Sequence, residues 1–320
     1  MIYPKQPLAQ YLIQLCKAKG VQHIVISPGS RNAPLTIGFT NQDFFKCYSI
    51  VDERSAAFFA LGIAQQTSET VAVVCTSGSA LLNYYPAIAE AFYSRLPLVV
   101  ISADRPKRLI NIGDGQTIFQ PHAFGSHVLF EANLATPKKT FFKSLKASKN
   151  KAKKAISMAL DVALGKMGPV HINVPLNEPL YQTVSSMHLF ATPTSSPQKT
   201  TIVKISSSNL KTWNNSKKKL VLVGVNPPNS IEASVIAKLA NDPSVIVLTE
   251  TTSNLHHPNF FPFIDQLITP LKGSQYKMLQ SDLLLTFGGL IISKRIKAFL
   301  RNYKPKQHWH IDPYNANDTF

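Results

Sequence analysis

Cysteine is scarce in this sequence, three among 320 residues, and no Cys-x-x-Cys or Cys/His spacing relates them. That excludes a disulfide framework and a zinc ribbon, and a reducing compartment is expected. Cys75 closes the apolar run Val-Ala-Val-Val-Cys and reads as core. Acidic residues are also few: 17 Asp+Glu against 34 Lys+Arg leave a formal charge of +17. No stretch approaches the ~18 uninterrupted apolar residues of a membrane span. The opening Met-Ile-Tyr-Pro-Lys-Gln-Pro-Leu has neither the basic nor the apolar region of a signal peptide. A soluble, cytoplasmic protein is expected. Apolar residues are not lacking, at 44%, which excludes disorder for most of the chain. At roughly 150 residues per domain, the length suggests two domains.

The pattern along the chain is an alternation. Leu8, Leu12, Leu15 and Cys16 share a helical face that stops at Gly20, and Val21–Ile26 is a β-branched run. Strands are predicted near 45–51, 71–75, 97–102 and 169–174, with helices near 53–66, 79–94 and 143–164. This is the signature of α/β architecture with a parallel sheet covered on both faces. Around 182–208 the rhythm stops in Thr-Pro-Thr-Ser-Ser-Pro-Gln-Lys-Thr-Thr and a Ser-rich run, which reads as a linker. Beyond it the rhythm restarts: strands near 220–225, 245–248, 283–287 and 310–311, helices near 230–240 and 293–302. Two successive α/β domains are expected, 1–181 and the smaller 209–320. The last residues follow a strand with no closing helix, as if cut at a domain edge.

The basic excess is concentrated at Lys138, Lys139, Lys143, Lys146, Lys149, Lys151, Lys153 and Lys154, with Leu145, Ala152, Ile156, Ala159 and Ala163 at helical spacing opposite. That is the pattern of a solvated lysine face on a helix. Nucleic-acid binding would want interleaved aromatics or a recognition motif, and neither is present. A positive field can also steer small polyanionic substrates.

Four loops after predicted strands carry unusual polar residues, at the sheet end where α/β proteins bind ligands. In Ser27-Pro28-Gly29-Ser30-Arg31, small residues allow close backbone approach and Arg31 offers a planar fork for a carboxylate. In Asp52-Glu53-Arg54-Ser55, Glu53 starts a nearly all-apolar helix. It either complements the helix dipole or faces a poorly solvated place where burial would raise its pKa. Cys75-Thr76-Ser77-Gly78, with Asn83 a turn later, can present backbone groups to a flat ligand. Ala103-Asp104-Arg105-Pro106 is followed by Gly113-Asp114-Gly115-Gln116-Thr117.

These strings, together with Ala56-Ala57-Phe58-Phe59-Ala60-Leu61-Gly62, Asn83-Tyr84-Tyr85-Pro86 and Gln116-Thr117-Ile118, run in order over about the first 130 residues. In that order they resemble the 2-succinyl-5-enolpyruvyl-6-hydroxy-3-cyclohexene-1-carboxylate synthases, thiamine-diphosphate enzymes of menaquinone synthesis. In the second domain the useful match is Ser293-Lys294-Arg295. The resemblance implies a pyrimidine-binding domain and then a central domain, with the family's third, diphosphate-binding domain absent from this stretch. Gly113-Asp114-Gly115 imitates that domain's metal motif, but it follows a loop rather than an apolar strand and lacks the Asn that should follow. No metal ligand is therefore expected among these residues.

The resemblance further implies that Glu53 bonds N1′ of the aminopyrimidine of thiamine diphosphate, within a pocket shaped by Thr76, Ser77, Gly78 and Asn83. The reaction implied is decarboxylation of 2-oxoglutarate and addition of the resulting carbanion to isochorismate. Ser30, Arg31, Arg105 and Gln116, with Lys294 and Arg295 from the central domain, would hold these carboxylated substrates. Mg2+ or Mn2+ would bind with the diphosphate on the third domain, and the complete enzyme would be a homodimer or homotetramer. Two other readings stand beside it: another thiamine-dependent carboligase or 2-oxoacid decarboxylase, and a non-catalytic basic binding protein on the same scaffold. For Lys294–Arg295 an exposed basic helix start is the simpler alternative, although positive charge there calls for a compensating anion.

Overall fold

Short β-branched runs separated by amphipathic helices bury apolar surface on both faces of a sheet, and two parallel sheets result. The computed structural model describes residues 2–136, 142–187, 204–313 and 320. The chain divides into two units, Met1–Thr200 and Thr201–Phe320. In the first unit, β1 (Tyr3–Pro4) and α1 (Pro7–Ala18) lead into β2 (His23–Ile26), α2 (Ala33–Thr40) and β3 (Lys46–Ser49). Then come α3 (Glu53–Thr67), β4 (Val71–Cys75), α4 (Ser79–Asn83), α5 (Tyr85–Ser94) and β5 (Leu98–Asp104). A long connection reaches β6 (Phe130–Asn133), followed by α6 (Phe142–Lys166), β7 (Val170–Pro175) and β8 (Thr183–Val184).

The six-stranded sheet has the order β3-β2-β4-β5-β7-β6, and its strands are parallel throughout. Alternate residues of β4 enter opposite cores. Ala72 and Val74 pack with α1, α2 and α6, while Val71, Val73 and Cys75 pack with α3 and α5. That two-sided burial is why β4 reads as an unbroken apolar run rather than an alternating one. Burial pushes the thiol of the core residue Cys16 up to about 12 and that of the partly buried Cys47 up to about 11, which keeps both protonated.

The second unit holds α7 (Ser207–Asn215), β9 (Lys219–Val223), α8 (Ala233–Asn241), β10 (Val245–Thr249), α9 (Ile264–Ile268) and α10 (Gly273–Leu279). It closes with β11 (Leu283–Phe287), α11 (Lys294–Asn302) and β12 (Gln307–Ile311). Its parallel sheet has the order β10-β9-β11-β12.

The α/β class with parallel sheets is as the sequence predicts, and the elements differ in detail. The helix expected over 79–94 is two helices meeting at Tyr84, because Pro86 in the first turn of α5 has no N–H to continue α4. The segment read as a linker, 182–208, is structured at both ends. Thr183 and Val184 pair antiparallel with Pro4 and Tyr3, and Ser206 caps α7 by accepting from Asn209 N. The rest of that segment, 188–203, lies outside the described residues, as do Lys138 and Lys139. On α6, Ala152, Ile156, Ala159 and Ala163 face the core while Lys151 and Lys154 lie exposed. Lys153 instead reaches over the Tyr11 ring, 4.8 Å from its centroid.

Candidate functional site

After β2 the chain adds β3 on one side, then crosses over to add β4 on the other. The connections leaving β2 and β4 therefore diverge, and a crevice opens between the carboxyl ends of those strands. Three of the four polar loops border it. The loop after β2 and the turn after β4 approach so closely that a Cβ on Gly29 would lie 2.5 Å from Thr76 Cβ. Tyr84 Oη, fully buried, ties the two walls by donating to Ser27 Oγ at 3.1 Å. Asn32 Nδ2 holds the loop's own shape through Ser27 O at 2.9 Å.

Glu53 is the first residue of α3. Asp52 caps that helix by accepting from Ser55 N at 2.7 Å, which turns the next side chain toward the end of β4. The Glu53 carboxylate accepts from Asn83 Nδ2 at 3.3 Å, so the sequence-distant pair does meet. Its field reaches the end of β4: burial chiefly, and the Glu53 charge after it, push the Cys75 thiol well above its ordinary value. The Tyr84 hydroxyl is raised by burial first, then by the neighbouring Cys75, and by Glu53 only as a smaller contribution. The surroundings of Glu53 correct one expectation. Only Ala56, Ala57, Ala60, Leu61 and Ala64 of α3 are buried, one stripe of the helix, while Arg54, Ser55, Phe58 and Phe59 are exposed. Glu53 itself is half-buried, not sunk in an apolar pocket.

Thr76 and Ser77 are buried, and Gly78 adopts φ +85, a left-handed conformation that also brings its α-carbon against the Gln116 backbone. A Cβ there would meet Gln116 O at 2.9 Å. Arg105 stitches the same corner: Nη1 donates to Ser77 Oγ at 2.8 Å and to Gln116 O at 3.0 Å, and Nε pairs with Asp114 at 2.7 Å. Asp114 of the imitation motif is thus the counter-ion of Arg105. The Gln116 side belongs to an exposed residue, and Ser30 is exposed as well. Arg31 lies across the crevice mouth with Nη1 on Leu176 O at 3.1 Å and on Glu178 at 3.0 Å, while its Nε is buried without a partner. Both arginines lower the pKa of Asp104, against a larger upward push from its burial. Arg31, Asp104 and Arg105 therefore share one electrostatic neighbourhood.

Lys294 and Arg295 lie in the second unit, exposed in the first turn of α11. The compensating anion is present. Glu250 accepts from Ile292 N and Ser293 N at 2.9 and 2.6 Å, and Ser293 caps the helix through Ile296 N.

Sequence reasoning passed over Gln120 and Asn173, both buried behind the crevice. A signal existed for one of them: β7 and β5 read as apolar strands, yet His171, Asn173 and Ser102 interrupt them, and Ser102 and Asn173 are paired in register. Gln120 sits in an irregular connection and gave none.

Two family descriptions match the chain: the N-terminal TPP binding domain of thiamine pyrophosphate enzymes over residues 7–127, and the middle domain of thiamine pyrophosphate enzymes over residues 188–317. The chain is similar, at 57% identity over all of its length, to the 2-succinyl-5-enolpyruvyl-6-hydroxy-3-cyclohexene-1-carboxylate synthase of Flavobacterium johnsoniae, of which it covers 56%. It is 56% identical to the synthase of that name from Flavobacterium psychrophilum and 52% identical to that of Christiangramia forsetii, covering 56% and 58% of them. The chain thus spans a little over half the length of these relatives.

Proposed function

We propose, given that this chain belongs to the thiamine pyrophosphate enzymes, that its first unit carries the pyrimidine-holding half of a carboligase active site. The observation that carries the reading is a convergence. Glu53 with Asn83, the Thr76–Gly78 turn, and the guanidinium of Arg105 all gather at the carboxyl end of β4. The donor set fits the aminopyrimidine end of thiamine diphosphate. Glu53 is a carboxyl at a helix start, oriented by one amide and able to share a proton with a ring nitrogen. Thr76, Ser77 and Gly78 form a small-residue wall on which a flat ring can lie. The same residues do not fit a diphosphate with Mg2+ or Mn2+. Among the described residues no group of three or more His, Cys, Asp or Glu side chains is arranged to hold a metal ion. We assign that end of the cofactor to none of them.

The proposed reaction is one that would form the product in the relatives' name. As the sequence resemblance implies, 2-oxoglutarate is decarboxylated and its remaining four carbons are added to isochorismate, a step of menaquinone synthesis. Thiamine diphosphate, when bound, supplies the nucleophilic carbon and the electron sink. The chain's own residues do the rest. Glu53 holds a proton at the pyrimidine N1′ and so sets that ring's tautomer, with Asn83 Nδ2 fixing the carboxyl's direction. Arg31 and Arg105 give the crevice a positive field for dicarboxylates, with Ser30 and Gln116 exposed beside them. Lys294 and Arg295, exposed on the middle domain, are a further basic pair proposed to act on the carboxylated substrates. Val51, Phe58, Phe59 and Leu82 are apolar and exposed around Glu53 and Asn83, which supports a homodimer or homotetramer covering this edge. A cytoplasmic location accords with the scarcity of cysteine, and among the described residues no helix is long and apolar enough to cross a membrane.

The test is Glu53→Gln in the complete polypeptide, assayed for consumption of isochorismate with 2-oxoglutarate. Turnover should fall by about 10²-fold or more, the scale of a lost proton-transfer group. Undiminished turnover would remove Glu53 from the mechanism. Decarboxylation of 2-oxoacids without any consumption of isochorismate would favour a different carboligase.

A further inference from the structure

Behind the crevice lies a ring of hydrogen bonds that none of these roles uses. Gln120, 0% exposed, projects from the β5–β6 connection, and both ends of its amide are engaged. Oε1 accepts from Gly78 N at 2.9 Å. Nε2 donates to Asn173 Oδ1 at 2.8 Å and to Ser102 Oγ and Ala103 O, each at 3.2 Å. The orientation of the amide is unambiguous, because the Gly78 N–H can only donate and the Ala103 carbonyl can only accept. Asn173 Nδ2 continues to Asp104 Oδ2 at 2.8 Å, and Asp104 Oδ1 accepts from Arg105 N at 2.7 Å. The Arg105 guanidinium then returns to Ser77 Oγ. The circuit Gly78–Gln120–Asn173–Asp104–Arg105–Ser77 closes on itself.

An apolar side chain would fill this space more cheaply than an amide that needs several partners. What the amide adds is geometry. Among the described residues it is the one side chain that bonds both the Ser77–Gly78 turn and the strand-end residues leading to Arg105.

We propose that Gln120 is a positioning residue, holding the cofactor-facing turn at Gly78 in fixed register with the anion-binding Arg105. This rests on the reading of the pocket given above. Gln120 touches neither cofactor nor substrate and acts through Gly78 N and Asn173.

The experiment compares Gln120→Met and Gln120→Glu with the unaltered protein, in the complete polypeptide. Thiamine diphosphate affinity and the KM for 2-oxoglutarate are measured at about pH 6 and about pH 8, with melting temperatures with and without cofactor. Met fills the space but leaves Gly78 N and Asn173 Oδ1 unpaired, so cofactor binding should weaken about tenfold at both pH values. Glu keeps the acceptor for Gly78 N, but its second oxygen faces Asn173 Oδ1 and Ala103 O. Among those acceptors its carboxyl should hold a proton well above the usual range, and the protonated form is a stand-in for the amide. Relative to the unaltered protein, Gln120→Glu should therefore bind about tenfold more weakly at the higher pH and recover at the lower.

A purely structural role would lower both melting temperatures equally and leave the affinity ratio flat with pH, which overturns the proposal. So would Gln120→Glu failing to fold even at the lower pH. If Gln120→Met does not fold, raising the pH on folded Gln120→Glu gives the same comparison. Glu53→Gln is assayed alongside. Should it retain turnover, the pocket itself is misread. Should it lose turnover while both Gln120 variants bind normally, only the positioning role fails.

Discussion

Gly29→Ala isolates the contact that sets the width of the crevice. The added Cβ would lie 2.5 Å from Thr76 Cβ, 2.9 Å from Cγ2 and 3.0 Å from Oγ1. Ordinary carbon contacts are about 3.5–4 Å, so the two loops must part by roughly 1 Å. Rotating Thr76 gives no relief, because the nearest atom is its Cβ. Overpacking of this kind costs about 1–3 kcal/mol. Gly29 is not among the positive-φ residues, so alanine also stiffens the unfolded chain, worth about 0.4–1 kcal/mol in the other direction. The net expectation is a loss of about 1–2 kcal/mol. At an m value near ~2 kcal/mol/M, the urea midpoint should drop by about 0.5–1 M.

One control makes the prediction sharp. In a Thr76→Gly background the wall is gone, so Gly29→Ala should become neutral or stabilising. The urea transition is followed by circular dichroism. The reasoning is refuted if Gly29→Ala costs nothing, or if its cost survives in the Thr76→Gly background.

Two further predictions concern charge. Asp114 pairs with Arg105 Nε at 2.7 Å, and the pair is partly exposed. If Arg105 takes up the proposed dicarboxylate substrates, Asp114→Asn should lower their KM in the complete polypeptide by up to about fivefold, the range of a solvent-screened pair. A higher KM would mean that Asp114 holds the guanidinium in place rather than competing for it. His171 is fully buried, and burial lowers its pKa to about 4, with the Glu131 charge opposing. The unfolded chain therefore takes up a proton near ~6.5 that the folded one refuses until about pH 4. Stability should fall as pH drops through that window. His171→Gln should flatten the decline in pH-dependent urea unfolding, and an unchanged slope would assign it to other groups.

Much of the first unit is legible in one dimension because its physics is local. β4 is an apolar run because it is covered on both faces, and α3 begins at Asp52 because an aspartate there satisfies Ser55 N. Glu53 and Arg105 stand out in sequence for a similar reason, being charged residues placed where a strand meets or follows a turn. β6 escapes notice because Phe130–Asn133 is a half-buried edge strand with no apolar run to announce it. The same holds for α9 and α10, which are short and mostly exposed.

What the sequence determined by itself was the alternation, the two parallel sheets and the residue types at the strand ends. Those follow from periodicity and from backbone needs within a few residues of each other. The tertiary structure alone decided which of those residues share a partner. It placed Asn83 on Glu53, Asp114 on Arg105, and Gln120 between Gly78 and Asn173, contacts that span 30, 9, 42 and 53 residues. Hydrogen-bond complementarity across such distances leaves no period in the chain. It is settled only when strand order brings the carboxyl ends of β4, β5 and β7 side by side.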